Sequence, residues 1–153
     1  MWAVAYYPNM AKYAQGKFRP KFPEKYIGKK TPTYRSSWEF NCMRFFDNNP
    51  SIIAWASEAI YVPYQDPLTG QNKIYVPDFM IVYIDRSGQK HAEIIEVKPM
   101  KEVTLERAGR SARDRAMVVR NHAKWQACGA YCKAQGLHFR IITENDLFHG
   151  TKR

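Results

Sequence analysis

Acidic residues are scarce in this chain: 14 Asp and Glu stand against 24 Lys and Arg over 153 residues, a formal charge of +10. That balance points to a polyanionic partner, most simply nucleic acid. An anionic membrane surface is the alternative, but no amphipathic anchor with a clean apolar face stands out. No apolar run approaches the length of a membrane span. The opening residues Met1-Trp2-Ala3-Val4-Ala5-Tyr6-Tyr7 lack the basic start and long apolar centre of a signal peptide. Cysteine is limited to Cys42, Cys128 and Cys132, an odd number that excludes a disulfide framework. Synthesis in a reducing cytoplasm is the expectation. Much catalytic chemistry is missing too. His91, His122, His138 and His149 form no HExxH or paired pattern, and there is no serine nucleophile elbow and no glycine-rich phosphate loop. Cys128 and Cys132 sit at i, i+4 near His122 but have no partner pair at a structural-zinc spacing, so they read as small buried residues. No repeat, low-complexity tract or long linker divides the chain, whose length suits one compact domain.

The charge is uneven. Residues 1–35 carry Lys12, Lys17, Arg19, Lys21, Lys25, Lys29, Lys30 and Arg35 against Glu24 alone. Pro8, Pro20, Pro23, Pro32, Gly16 and Gly28 break any period there, while Tyr6, Tyr7, Tyr13, Phe18, Phe22 and Tyr26 are scattered between the cations. This is an irregular basic arm over 1–35, followed by the main domain over 36–153. Its aromatics either reach for a partner or pin the arm to its own core.

Ser36-Ser37-Trp38-Glu39 fits a capping box and opens a helix, with Trp38, Cys42 and Phe45 as its buried stripe. Asp47-Asn48-Asn49-Pro50 closes it. Strands are expected over 52–56 and over 58–64, either as two pieces or joined as one bent strand, over 73–84 and over 91–98, where Pro99 ends the pairing. A helix capped by Thr104 or Ser111 runs to about Gln135, stopped by Gly136. Its small-residue stripe, Ala112, Ala116, Val119, Ala123, Ala127 and Ala130, is expected to pack on a sheet. A last strand covers 137–143, and a short polar tail begins at Glu144. The order αβββαβ predicts an α/β domain with a central mixed β-sheet flanked by helices.

The sharpest chemistry lies at the ends of two apolar strands. Pro77-Asp78 opens Phe79-Met80-Ile81-Val82-Tyr83-Ile84, and Glu96-Val97-Lys98 closes Ala92-Glu93-Ile94-Ile95. Strand alternation puts Glu96 and Lys98 on one face, and a hairpin through Asp85-Arg86-Ser87-Gly88 brings Asp78 to them. Charges bordering apolar strands are costly unless paired or bound to a metal. Two carboxylates and an ammonium suit a divalent cation beside a scissile phosphate. Asp78 and Glu96 are candidate catalytic residues and metal ligands, the Val97 carbonyl a further ligand, and Lys98 the residue that orients or deprotonates water. The ion expected is Mg²⁺, with Mn²⁺ substituting. A third acid would be Glu39, unless it serves only the capping box, or more weakly Glu58, unless it is an exposed strand end. Glu93 has the opposite parity. Candidate DNA contacts are Lys17, Arg19, Lys21, Arg35, Lys101, Arg113, Arg120 and Lys124; the bland alternative for the helical set is a solvated face.

These residues resemble the PD-(D/E)xK nuclease superfamily over roughly 36–143: Pro77-Asp78, then Glu96-x-Lys98, with Glu39 on a preceding helix and a helix and strand following. Further segments, among them Tyr34-Arg35-Ser36-Ser37-Trp38-Glu39, Trp55-Ala56-Ser57-Glu58, Val62-Pro63-Tyr64 and Tyr75-Val76-Pro77-Asp78-Phe79, are similar to the head-completion nucleases of T4-like tailed bacteriophages. The resemblance implies a restriction-endonuclease-like core and a metal-dependent DNA endonuclease leaving 5′-phosphate and 3′-hydroxyl ends. It implies action in the host cytoplasm on the DNA-filled head, with head, portal or neck proteins as partners and retention in the virion left open. The Gln-x-x-x-Tyr helix motif of some superfamily exonucleases is absent, Gln126 and Tyr131 being one residue too far apart. Two alternatives stand: a non-catalytic head or neck protein of the same fold, and a resolvase, repair or transposon-end nuclease.

Overall fold

The computed structural model describes residues 15–149, with side chains through Leu147. The first aromatics of the arm, Tyr6, Tyr7 and Tyr13, therefore lie outside the described residues. Gly16–Lys17 (β1) pairs antiparallel with Thr33–Tyr34 (β2). Between them Phe18 is buried and packs edge-on against Trp55 at 5.7 Å, and Tyr26 does the same at 4.7 Å. Phe18 and Tyr26 are thus pinned to the protein's own core, while Phe22 is exposed. Lys25 is also committed inward, donating from Nζ to the carbonyls of Phe46, Asp47 and Asn49 at 2.8, 2.7 and 2.9 Å. Those carbonyls end the first long helix, where a cation is favoured.

That helix, Ser37–Asn48 (α1), starts as expected: the Ser36 hydroxyl accepts from the Glu39 N–H at 3.1 Å. Its buried stripe is centred on Cys42, Met43 and Phe46, with Trp38 and Phe45 at the margin. Ile52–Ser57 (β3) follows, but no single bent strand continues it. Glu58 takes a left-handed φ of 51° and turns the chain out of the sheet. Val62–Gln65 (β4) then pairs with Asn72–Tyr75 (β5) as a separate hairpin.

The strand expected over 73–84 is likewise two. Pro77 lacks the N–H a ladder needs, and the chain crosses from the hairpin to the main sheet at Val76-Pro77-Asp78. Phe79–Ile84 (β6) and Lys90–Val97 (β7) form the anticipated hairpin. Ala112–Gln135 (α2), capped by Ser111 and stopped by Gly136 at φ 70°, crosses back to His138–Ile142 (β8). The sheet order is β3-β6-β7-β8, antiparallel except for the parallel β7–β8 pair. The central mixed sheet and its αβββαβ order are thus as read from sequence.

The two faces of the sheet carry separate cores. Phe79, Ile81, Ile95 and Val97 meet α1, while Met80 and Ile94 meet α2. The small-residue stripe expected to cover the sheet lies at the margin of the second core, with Ala127 packed against it. Val118, Asn121, Trp125, Cys128 and Cys132 face inward instead, and Ala112 and Ala130 are exposed. Both stripes have helical spacing, but the one carrying Trp125 and Val118 removes more apolar area from water. The polar tail is also a helix, Glu144–His149 (α3). Its start is a capping arrangement in which Thr143 Oγ1 accepts from Asn145 N–H and Asp146 Oδ2 from Thr143 N–H.

Candidate active site

The β6–β7 register sets Phe79 against Ile95, and one further step sets Asp78 against Glu96. Even-numbered residues of these strands share the α2 face, so both carboxylates and Lys98 emerge at one end of the sheet. The pairing does not simply fray there. Asp78 Oδ2 accepts from the Val97 N–H at 2.8 Å, and the Lys98 N–H donates to the Ile142 carbonyl at 2.9 Å. The backbone around Glu96-Val97-Lys98 is held from both sides.

Glu96 is only 4% exposed. The Tyr75 hydroxyl donates to its Oε2 at 2.6 Å, and Lys98 Nζ lies 3.7 Å from Oε1. Asp78 is enclosed by protein but opens onto a cleft of about 780 Å³, lined also by Arg35, Ser36, Glu39, Val97, Lys98 and Lys101. Burial and then the nearby Glu96 charge push the Asp78 carboxyl well above its ordinary range. Burial also raises Glu96, against the pull of the Tyr75 hydrogen bond and Lys98. Glu39 is raised by burial as well, against the Arg35 backbone N–H and the charges of Arg35 and Lys98. The Tyr75 phenol is driven far up by burial and by Glu96, so it remains a donor. Asp78, Glu96 and Glu39 are thus all raised by burial that the neighbouring cations and hydrogen bonds only partly offset.

The other candidates are dispersed. Glu39 caps α1, accepting from the Arg35 N–H, and lines the cleft at the same time. Glu58 does not line it. Its carboxylate holds the Arg35 guanidinium at 2.8 Å and Lys30 at 3.7 Å, and its N–H donates to the Asp78 carbonyl at 2.9 Å. Arg35 and Lys101 line the cleft. Lys17, Arg19 and Lys21 border a separate hollow with Arg44 and Asp47. Arg113 is exposed in the first turn of α2. Arg120 is turned away to Asp66, Nε to Oδ2 at 3.1 Å. Lys124 lies over the rings of Tyr64 and Tyr75 at 5.9 and 6.0 Å, and burial together with Lys98 lowers its pKa.

Two participants escaped sequence reading. Tyr75 was one step in an apolar strand, and its closeness to Glu96 needs the break at Pro77. Glu144 lines the cleft from α3 and accepts from the Met100 N–H at 2.8 Å, fixing the chain just past Lys98. The capping pattern at Thr143 was the available signal for it.

No three acid, histidine or cysteine side chains among the described residues form a ready-made metal cage. The donor chemistry nonetheless fits a hard divalent cation: the Asp78 and Glu96 carboxylates are close enough for the Glu96 charge to raise Asp78, and positive charge relieves that repulsion.

The family described as TnsA-like endonuclease N terminal matches residues 49–144, which contain Asp78, Glu96 and Lys98 and leave Glu39 outside. The chain is also 37% identical over 142 residues to the head completion nuclease of Enterobacteria phage T4, covering 86% of this chain and 92% of that protein. The chain belongs to the TnsA-like endonuclease family. The PD-(D/E)xK resemblance read from sequence is borne out. This endonuclease is a hydrolase with a phage nuclease as a relative over most of its length. No described helix is long and apolar enough to cross a membrane.

Proposed function

We propose that this endonuclease cuts DNA with a divalent cation, Mg²⁺ or in its place Mn²⁺, held by Asp78, Glu96 and the Val97 carbonyl. The observation that carries the reading is the pair Asp78 and Glu96, set opposite each other, both raised by burial, with Lys98 the close cation. When bound, the ion would supply Lewis acidity at the phosphate and lower the pKa of water. Lys98 stands beside Glu96 at the cleft, where its ammonium orients attacking water or offsets charge gathering on the phosphoryl oxygens. Glu39 contributes the third acid through its place in the cleft. Glu58 serves from outside the cleft by holding Arg35, which lines it.

DNA contacts follow the cations. Arg35 and Lys101 reach the backbone at the cleft, Lys124 and Arg113 along α2, and Lys17, Arg19 and Lys21 on the side of the basic arm. By its relationship to the T4 protein, the biological role is completion of the phage head in the host cytoplasm, with head or neck proteins as partners.

Plasmid nicking in Mg²⁺, in Mn²⁺ and in EDTA tests the catalytic reading. Cleavage confined to the divalent ions and lost in Lys98→Ala supports it. Equal nicking in EDTA, or by K98A, sinks it. Running flap, junction and linear duplex substrates side by side separates head completion from resolvase or repair chemistry.

A further inference from the structure

We infer that Tyr75 is a positioning residue that selects which oxygen of Glu96 faces the cation, an inference resting on the metal-dependent reading above. Tyr75 belongs to the β4–β5 hairpin, outside the catalytic sheet, yet its hydroxyl donates to Glu96 Oε2 at 2.6 Å. The other oxygen, Oε1, is the one beside Lys98 Nζ, 3.7 Å away, and Lys98 itself lines the cleft. A carboxylate has two oxygens and a free rotation about its last bond. In a pocket where Glu96 is 4% exposed, water cannot satisfy the rear oxygen. The phenol does so, and it locks the rotation.

The ring itself is held. Tyr75 is buried with Val62, Ile94, Trp125 and Cys128, and Lys124 lies over its outer face. The hairpin is anchored in turn by the Asp66 carboxylate, which binds Lys73 within it and Arg120 on α2. A chain of fixed contacts therefore runs from α2 through the hairpin to one oxygen of Glu96. Partners of this kind behind a metal ligand are generally worth ten- to a hundredfold in metal affinity.

The test is Tyr75→Phe, which removes one oxygen and keeps the ring. Mn²⁺ is titrated into the full chain with no DNA present, free Mn²⁺ being followed by electron paramagnetic resonance, with Asp78→Asn as control. The expected result is Mn²⁺ binding roughly ten- to a hundredfold weaker in Y75F, with cleavage largely regained at saturating metal. D78N is expected to lose binding altogether. Wild-type Mn²⁺ affinity in Y75F beside lost binding in D78N overturns the role of Tyr75 and spares the ligand assignment. Wild-type affinity in D78N overturns the ligand assignment itself and this inference with it. A lower melting temperature in Y75F with unchanged Mn²⁺ affinity marks Tyr75 as packing only. Should Y75F unfold at the assay temperature, the titration is run in the cold with circular dichroism on the same sample.

Discussion

Asp66 and Asp78 stand on either side of β5 and meet enclosure in opposite ways. Asp66 has no solvent exposure, but it sits in a thin hairpin turn. Its Oδ1 accepts from the Leu68 N–H at 2.9 Å, and its Oδ2 receives Lys73 and Arg120, each at 3.1 Å. That backbone bond, then the two cations, hold its pKa down to about 2. Asp78 is open to a cleft, but it lies deep against the sheet with another carboxylate opposite, and its pKa goes the other way. Accessibility alone does not distinguish a structural acid from a functional one; the number of compensating partners does. Asp66 is complete. Asp78 is raised by burial and by Glu96, which the Val97 N–H and Lys98 do not offset.

The comparison breaks or sharpens first at Asp78. Asp78→Asn keeps the shape and the hydrogen bond from Val97, and cleavage is expected to fall roughly a thousandfold or more in a plasmid assay. Its melting temperature without metal is expected to match or exceed wild type, because a repulsive buried charge is gone. A clear drop would mean that Asp78 is as complete as Asp66. Asp66→Asn is the mirror experiment. It leaves Lys73 and Arg120 facing an amide, so differential scanning fluorimetry should show a melt several degrees lower, while cleavage at saturating metal changes by less than about tenfold.

Acid titration of those melts separates the two further. An unfolded aspartate titrates near ~3.9. The folded pKa of Asp66 is lower, so the advantage of wild type over D66N is full above that value and closes as the pH falls toward about 2. The folded pKa of Asp78 is higher, so its ionisation costs stability. The advantage of D78N without metal is therefore absent below ~3.9 and grows as the pH rises through the raised range. Taken as wild type minus variant in both cases, the two gaps are expected to move in opposite directions with pH, and movement in the same direction would show that the two acids are alike. The smallest effect concerns DNA. Lys101→Ala is expected to reduce the slope of log affinity against log salt by about 0.9. Arg120→Ala should leave that slope nearly unchanged, since its guanidinium is committed to Asp66. Fluorescence anisotropy over a salt series reads both.

Much of this was legible in the residues. The αβββαβ order follows from apolar runs, caps and breakers, and the Asp78/Glu96 juxtaposition follows from the strand period together with the hairpin that the Asp85–Gly88 turn implies. What stayed hidden has physical reasons. Pro77 signals a break, but only the fold reveals that the break moves the chain between two sheets. Helical spacing on α2 fits two stripes, and only docking decides for Trp125 over the alanines. Arg120 and Lys101 look equivalent in a list of cations. Their difference depends on Asp66, distant in sequence from Arg120. Glu58 has the chemistry of a ligand, but a left-handed backbone and a bond to Arg35 give it a different place.

The hydrogen bond from the Val97 N–H to Asp78 has a consequence for how this chain can vary in length. Where β6 begins, a side chain stands in for the carbonyl another strand residue would supply, so the closing rung of the sheet and the acid of the cleft are one group. A residue inserted between Asp78 and Phe79 would unhook both together. At the far end of the same hairpin, the turn from Asp85 to Gln89 is closed by its own local bonds. Extra residues there would leave Asp78 and Glu96 in register. The β6–β7 hairpin thus has a free end and a fixed end, and length polymorphism among related chains should collect at the turn and avoid residues 76–79.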